Sequence, residues 1–303
     1  MSQPVENQSP ISAPDLQPGR NLLRKTAQEL LFDRDMAEVA LSGLKLTRKP
    51  HDILRDPAVL RPSVTLIVQG CRSLTLGCTG YEVAEYGFAI NALPLPVMSD
   101  ITIHGDSTYM AMELPLDLAL VERMRREVPG RISCPVVCSV ATGSSPEWMI
   151  DCITRMLLLP LREGIGSVIA GVLQQELILR LRGTPFGRGL HELTVAGSPM
   201  ERVHRAAGYI ADRFRQPLVV ADLASHCDWS TSSFHHHFRR LTTMTPLRYQ
   251  QFLRLSEARR ILSTTQSHAG EVALQVGYTS PSQFNREYRR LFGAPPIESV
   301  SVL

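Results

Sequence analysis

A stretch of sequence that occurs twice, fifty residues apart, most constrains how this chain can fold. The segment that begins at Ser230 matches the segment that begins at Ser280, residue by residue. The identical pairs are Ser230 and Ser280, Ser232 and Ser282, Phe234 and Phe284, Arg239 and Arg289, Arg240 and Arg290, Leu241 and Leu291, and Pro246 and Pro296. Because a repeated segment is one structural unit used twice, both copies are predicted to fold alike.

Each copy has the pattern of a helix with a defined start. Ser230 and Ser280 are of a residue type whose hydroxyl accepts a free backbone N–H of the first helical turn. In the second copy, Pro281 suits the first helical position, and Gln283 has the spacing of a capping box. Apolar residues then recur with the i, i+4, i+7 spacing of one buried face, at Phe234, Phe238 and Leu241 and again at Phe284, Tyr288 and Leu291.

A shorter helical pattern precedes each copy, at 220–226 and at 270–276. Gly277 lies in the turn that follows the second of these, where a sharp connection uses unusual backbone freedom. A short helix, a tight turn and a second helix form a helix-turn-helix unit. The sequence therefore predicts two such units, with a connecting helix at 247–263 and an earlier helix at 200–215.

The first half of the chain has a different pattern, with short apolar runs separated by Gly and Pro. The predicted strands are 63–68, 73–76, 81–90, 101–104 and 109–114, and they favour a small barrel or a sandwich. Helical patterns follow at 117–127, 147–159 and 163–182. The apolar surface of the last of these fits either a core or a dimer interface.

Charge is distributed unevenly along the chain. From Pro199 to the end there are thirteen Arg and no Lys against eight Asp or Glu, a net charge of +5, whereas the whole chain carries +3. The part before Pro199 therefore carries a net charge of −2. A basic C-terminal domain is compatible with a nucleic-acid partner.

At Asp222-Leu223-Ala224, at Phe234 through Arg240 and at Val276 through Phe284, the sequence resembles the AraC/XylS transcription regulators. The region from about Leu44 to Arg182, notably Leu66 through Gly70, resembles their N-terminal regulatory domain. The resemblance implies an α+β fold with an N-terminal cupin-like β-barrel carrying dimerisation helices, followed by an all-α domain with two helix-turn-helix units. The expected divisions are a disordered tail (1–20), a regulatory, ligand-sensing and dimerisation domain (21–185), a linker (186–198) and a DNA-binding domain (199–303).

In a helix-turn-helix protein, the second helix enters the major groove with its N-terminal residues at the base edges. The residues expected to read bases are Thr231, Ser232, His235 and His236 in the first copy and Ser282, Gln283, Asn285 and Arg286 in the second. Arg suits guanine and Asn or Gln suits adenine, whereas Ser or His can contact a base or a phosphate. The residues expected to contact phosphates, further along each helix, are Arg239, Arg240, Arg289 and Arg290.

The expected function is sequence-specific transcription regulation, controlled by a small molecule in the N-terminal domain, because an apolar barrel provides a pocket. The alternative is a constitutive DNA-binding regulator whose barrel makes only protein–protein contacts. The expected partners are double-stranded DNA, RNA polymerase, a small-molecule effector and a second copy of the chain as a homodimer. No cofactor is expected.

The six cysteines lack the spacing of a disulfide framework or of a zinc site. They fit small buried apolar residues. A second interpretation treats four of them as candidate ligand or redox sensors, which requires a lowered thiol pKa, and these are Cys71, Cys78, Cys134 and Cys138.

Other classes of protein find little support in the sequence. The three consecutive residues His235, His236 and His237 point about 100° apart on a helix and cannot all bind one metal ion. The chain contains no P-loop, GxGxxG, HExxH or GxSxG motif, so no enzyme is expected. With no signal-peptide pattern and no long apolar segment, a cytoplasmic protein without membrane contact is expected.

Overall fold

The computed structural model describes residues 17–105, 107–128, 139–159, 165–265 and 267–296. Its N-terminal part combines helices with two antiparallel sheets, and its C-terminal part is helical. This arrangement confirms the predicted α+β class. The β-rich part consists of two packed sheets, of six and four strands.

Ten strands lie in the described residues: β1 (Met36–Val39), β2 (Leu44–Lys49), β3 (Ile53–Leu60), β4 (Ser63–Gln69), β5 (Cys71–Leu76), β6 (Thr79–Val83), β7 (Gly87–Asn91), β8 (Leu95–Thr102), β9 (Tyr109–Pro115) and β10 (Val140–Ser144). The six-stranded sheet has the order β1-β2-β9-β4-β7-β10. The four-stranded sheet has the order β3-β8-β5-β6. Register is antiparallel throughout, for example with Leu66 opposite Met112 and Leu74 opposite Tyr81.

Eleven helices lie in the same part of the chain: α1 (Gln17–Leu31), α2 (Leu118–Glu127), α3 (Glu147–Leu157), α4 (Gly166–Arg182), α5 (Gly187–Thr194), α6 (Pro199–Arg213), α7 (Val220–His226), α8 (Thr231–Thr242), α9 (Pro246–Thr264), α10 (Ala269–Gln275) and α11 (Pro281–Phe292). The predicted helix-turn-helix units correspond to α7 with α8 and to α10 with α11. The predicted connecting helix corresponds to α9.

The six-stranded sheet is a middle layer because both of its faces are apolar. In β4, Val64, Leu66 and Val68 belong to an apolar cluster that includes the buried faces of α1 to α4. Ile67, between them in sequence, belongs instead to a second cluster with Leu74 and other residues of the four-stranded sheet. Since successive side chains of a strand point to opposite faces, this central strand is buried on both sides and is mostly apolar in sequence.

Three parts of the N-terminal prediction need correction. The run 81–90 is two strands, β6 and β7, which lie in different sheets, and the chain crosses between them at Tyr86, whose φ is +56°. The predicted tail 1–20 extends too far, since α1 begins at Gln17 and buries Leu23. The predicted linker 186–198 contains α5, whose Leu190 and Leu193 are also buried.

Helix α4 has apolar residues both in the core and at the surface. Leu173, Leu177 and Leu181 are buried in the cluster shared with the six-stranded sheet. On another side of the helix, Val168 and Val172 are exposed by 67% and 57%. A core face and a separate exposed apolar face therefore lie on one helix.

The β-rich and helical parts share one apolar cluster, which extends from the space between the sheets to helices α6 to α9. Tyr249 of α9 is fully buried there, and its hydroxyl donates to the carbonyl of Pro94 at 3.0 Å. Arg55, whose φ is +52°, donates from its side chain to the carbonyl of Leu291 near the end of α11 at 2.8 Å. Arg259 of α9 in turn donates to the carbonyl of Arg55 at 2.7 Å. These contacts hold both helix-turn-helix units against β3 and β8.

The turn of the second helix-turn-helix unit packs directly on the residues that follow α6. Gly277 has a φ of +95°, and a Cβ at this position would overlap the carbonyl of Arg215. Arg254 of α9 donates to the carbonyls of Phe214 at 2.6 Å and Gln216 at 2.9 Å in the same region. Gly277 is therefore required by close backbone approach as well as by its dihedral angle.

We expect Gly277→Ala to lower the free energy of unfolding by roughly 2 kcal/mol or more, because the substitution adds both strain and overlap. Urea denaturation followed by circular dichroism measures the change. The matched control is Gly270→Ala in α10, where nothing lies within 4 Å of an added Cβ. That control should be neutral or stabilising by up to about 1 kcal/mol, because Ala favours a helix over Gly. Equal effects of the two substitutions would contradict the role of the Arg215 contact.

Candidate nucleic-acid interface

Two helices, α8 and α11, form the candidate interface, and each begins with the serine cap that the repeat predicts. The Ser230 hydroxyl accepts from the backbone N–H of Ser233 at 3.3 Å. The Ser280 hydroxyl accepts from the backbone N–H of Gln283, also at 3.3 Å. Each cap supplies one hydrogen bond to an otherwise unpaired N–H group and fixes where its helix starts.

Equivalent aromatic residues anchor the buried faces of the two helices. Phe234 and Phe238 are fully buried in the first unit, and Phe284 and Tyr288 are fully buried in the second. Opposite these faces, almost all the residues predicted to read bases are exposed, namely Thr231, Ser232, His236, Ser282, Gln283, Asn285 and Arg286. His235 is half-buried. The structure therefore places the two predicted sets on the free faces of two equivalent helices.

Gln283 differs from the other predicted base-reading residues because its side chain is engaged along the helix. Its amide donates to one carboxylate oxygen of Glu287 at 3.0 Å, one turn further along. The other oxygen of Glu287 accepts from the Tyr278 hydroxyl at 2.8 Å. Burial and the Glu287 hydrogen bond raise the pKa of Tyr278, which keeps its phenol protonated. The Gln283 side chain therefore points along the helix to Glu287, whereas a capping box would have it point back to the start of the helix.

The arginines of the helical part divide into two sets. Seven have guanidinium groups that contact a carboxylate, a backbone carbonyl or an aromatic ring: Arg202, Arg205, Arg213, Arg215, Arg254, Arg259 and Arg260. Six others have exposed side chains: Arg239, Arg240, Arg248, Arg286, Arg289 and Arg290. In the part of the chain that the structure describes, no hydrogen-bond acceptor or carboxylate contacts the guanidinium groups of these six. All but Arg248 lie on α8 or α11.

Three of these six arginines line a cavity of about 440 Å³ between the two parts of the chain. This junction cavity is bounded on one side by Gly77 and Cys78, in the turn between β5 and β6, and on the other by α8, α9 and α11. Arg239, Arg248 and Arg290 contribute its unpaired charges. A Cβ on Gly77 would lie 2.5 Å from the Thr243 hydroxyl, so this hairpin contacts the turn after α8 closely.

Sequence reasoning missed Arg248 because it has no arginine equivalent in the second copy of the repeat. The residue fifty positions further on is Glu298.

Sequence reasoning also missed an aromatic stack beside α8. The His237 ring stacks on the Trp229 indole with centroids 4.8 Å apart and an interplanar angle of 15°. The Arg202 guanidinium lies 5.3 Å from the centre of the same indole. Burial, followed by the positive charges of Arg240, His236 and Arg202, lowers the pKa of His237.

The structure describes two of the four candidate sensor cysteines. Cys71 is half-buried, with its Sγ 3.6 Å from His104 Nε2, and Cys78 is exposed at the junction cavity. Cys134 and Cys138 lie outside the described residues. Cys152 and Cys227 are buried, and burial raises the pKa of Cys152 to about 12. A sensor role for Cys71, Cys78, Cys134 or Cys138 stays a prediction.

Two broader features are absent from the residues that the structure describes. No group of three or more His, Cys, Asp or Glu side chains in that part of the chain could hold a metal ion. None of the described helices combines the length and the apolar character that a membrane crossing requires.

Comparison with protein families gives two matches that together span most of the chain. A model described as "AraC-type transcriptional regulator N-terminus" matches residues 40–188. A model described as "Helix-turn-helix domain" matches residues 223–299. The second match contains α8, α9 and α11, and so includes both candidate recognition helices.

Among curated relatives, the chain is 27% identical over 203 residues to the HTH-type transcriptional regulator CdhR of Pseudomonas aeruginosa. The aligned region covers 67% of this chain and 56% of that protein. It is 31% identical over 135 residues to the arabinose operon regulatory protein of Escherichia coli, which covers 44% of each. The chain thus spans about half the length of these relatives. Among solved structures, wild-type ToxT of Vibrio cholerae with an unsaturated fatty acid bound has a TM-score of 0.57 and 11% identity, covering 86% of this chain and 95% of that chain. That likeness concerns the fold.

We expect the Trp229–His237 stack to respond to pH. Because folding lowers the pKa of His237, the stability that the neutral ring contributes is present above its unfolded pKa of about 6.5 and is lost as pH falls through the lower folded value. In Trp148→Phe, which leaves Trp229 as the one tryptophan of the two in the chain, emission should fall with a midpoint below about 6.5 as the imidazolium quenches the indole.

His237→Gln in the same background should remove this transition, whereas His235→Gln, two residues earlier on the same helix, should keep it. A transition that survives His237→Gln unchanged would show that another group controls the fluorescence of Trp229.

Proposed function

Because this chain belongs to the AraC/XylS family of helix-turn-helix DNA-binding transcription regulators, which are not enzymes, we propose that it reads a specific DNA sequence with both of its helix-turn-helix units. The observation that carries the proposal is the division of the arginines. Five unpaired guanidinium groups lie on α8 and α11, whereas every arginine elsewhere in the helical part except Arg248 has a partner among the described residues. Unpaired surface guanidiniums favour phosphate oxygens and guanine edges.

Each helix would contribute two kinds of contact. Near the N-terminal ends, Ser232 and His236 of α8 and Asn285 and Arg286 of α11 would read base edges, because this end of a recognition helix enters the major groove. Thr231, His235, Ser282 and Gln283 complete the proposed base-reading set. Further along, the proposed phosphate contacts are Arg239, Arg240, Arg289 and Arg290.

The connecting helix sets the scale of the proposed binding site. Helix α9 has 19 residues, which corresponds to about 28 Å at 1.5 Å per residue. Adjacent major-groove segments on one face of DNA lie about 34 Å apart. One chain could therefore contact two successive segments, and the proposed site is bipartite.

We expect Arg286→Ala to remove discrimination in one part of the site only, at a cost of about 1–3 kcal/mol, because a bidentate contact to guanine O6 and N7 would be lost. The measurement starts from selection of bound duplexes out of a random pool, followed by titration of single-base variants of the best site at fixed salt.

The matched comparison is Arg289→Ala, one turn along the same helix, which should weaken all duplexes alike and reduce the salt slope by about one. Failure to select any motif with the full chain, in the presence or absence of effector candidates, would overturn the proposed function.

We further propose that a small-molecule effector controls this activity. The support is the match to the AraC-type N-terminal domain, together with ToxT structures whose bound molecules are a fatty acid and a naphthalenyl butenoic acid. RNA polymerase is the proposed protein partner at the promoter. The alternative, a constitutive regulator whose sheets serve protein contacts alone, predicts no thermal shift with any metabolite.

We also propose that two chains associate through α4. The exposed apolar residues of α4 and its N-cap are Ile165, Val168, Val172 and Leu179. They are centred on Val172, which lies seven residues from both Ile165 and Leu179. An antiparallel pair of α4 helices would therefore place Ile165 of one chain opposite Leu179 of the other. A two-fold interface is self-complementary in this way.

We expect Val168→Asp combined with Val172→Asp to shift the chain toward the monomer, because the charges would be buried at the interface. Sedimentation velocity across a concentration series measures the change. Ser167→Asp is the control, since it adds a charge to an exposed position beside the apolar residues of α4. An unchanged dimer in the double variant would assign dimerisation to another surface.

A further inference from the structure

We propose that the junction cavity binds a small organic anion with an apolar body. The inference deepens the proposed function and rests on it, because it gives the proposed effector a site and a chemical class. The site lies between the two parts of the chain, not inside the β-rich part where the sequence predicts the pocket. Its volume, about 440 Å³, is in the range of small-molecule sites.

The charge of the cavity points to an anion. Arg239, Arg248 and Arg290 converge on it from three different helices. Within the described residues, none of these guanidiniums has an ion pair or a hydrogen-bond acceptor. Glu287 is the carboxylate in the lining, and its oxygens already accept from Gln283 and Tyr278. The side chains therefore leave an excess of two positive charges.

The rest of the lining points to an apolar body on the ligand. Phe252 and Leu255 of α9 are buried at the cavity wall, with 5% and 2% of their surfaces exposed. Met98 of β8 and Met244, between α8 and α9, add flexible thioether side chains that adapt to different shapes. A carboxylate, phosphate or sulfonate held by arginines, with an apolar group on this wall, satisfies both parts of the lining.

A DNA phosphate fits this lining less well than a small anion does. The Gly77–Cys78 turn covers one side of the cavity, and a phosphodiester has no apolar group to place against Phe252 and Leu255. Arg240, Arg286 and Arg289 are equally unpaired but are absent from the cavity lining, so they are free for DNA whether or not the cavity is occupied. An anion in the cavity would compete with DNA phosphates for Arg239 and Arg290. A ligand in the cavity would contact the hairpin and both helix-turn-helix units together, and its binding would stabilise their contact.

The test uses two fluorescent probes that differ in one charged group. The full-length protein is titrated with 1-anilinonaphthalene-8-sulfonate, an apolar anion, and with N-phenyl-1-naphthylamine, which lacks the sulfonate. We expect saturable binding of one equivalent of the sulfonate and at least tenfold weaker binding of the neutral probe. Arg248→Gln and Arg290→Gln should each weaken sulfonate binding by about tenfold, as loss of a charge-assisted hydrogen bond implies.

Arg286→Gln is the matched control, because it removes an unpaired arginine from α11 outside the cavity. It should leave sulfonate binding unchanged. Equal affinity for the two probes, or unchanged sulfonate binding in Arg248→Gln and Arg290→Gln, would overturn the proposal. If these two variants instead lose only DNA affinity, the cavity arginines are phosphate contacts. Selection of a DNA motif by the wild type tests the proposed function separately, so the two failures are distinguishable.

A second measurement locates the probe without any substitution. Cys78 is exposed at the edge of the cavity, whereas Cys71 lies at the opposite end of β5 and outside the lining. Bound sulfonate probe should slow alkylation of Cys78 by iodoacetamide and leave Cys71 unchanged, as read by peptide mass spectrometry. Equal protection of both thiols, or protection of neither, would place the probe elsewhere and overturn the assignment.

Discussion

The burial of α9 against the four-stranded sheet is the constraint on which the rest of the structure depends. Tyr249 brings a polar hydroxyl into an apolar cluster, and its bond to the Pro94 carbonyl satisfies that group. Because a buried unpaired hydroxyl is costly, the bond favours one position of the helix on the sheet. Helix α9 connects the two helix-turn-helix units, so fixing it positions both of them relative to the regulatory part.

The distribution of paired and unpaired arginines follows from that packing. Some arginines of the helical part, such as Arg254 and Arg260, contact backbone carbonyls or carboxylates and so stabilise the fold. Those on the free faces of α8 and α11 have no such partner among the described residues. The docked hairpin then divides the free arginines again, because Arg239 and Arg290 border the junction cavity whereas Arg286 and Arg289 do not. Arginine thus occurs in three environments: paired within the helical part, at the junction cavity, and on the free faces of α8 and α11.

The helical part was predicted well from local signals. Ser230 and Ser280 cap their helices as expected, and Val220–His226 forms a helix with the predicted bounds. The β-rich part was predicted less completely. Strand β3 contains Arg55, Asp56 and Pro57 and has no fully buried residue, so it lacks the alternating pattern of a strand. Its position at a sheet edge, and the left-handed backbone of Arg55, depend on contacts with β8, α9 and α11.

The sequence by itself determined the two helix-turn-helix units and the polar residues that their free faces carry, because caps, helical periodicity and turn glycines act within a few residues of one another. Only the tertiary structure decided which arginines remain unpaired, why Gly277 must lie against Arg215, and that a cavity forms between the Gly77–Cys78 turn and three helices. These features depend on groups far apart in the chain, such as Arg55 and Leu291, whose proximity is a result of packing and leaves no local pattern.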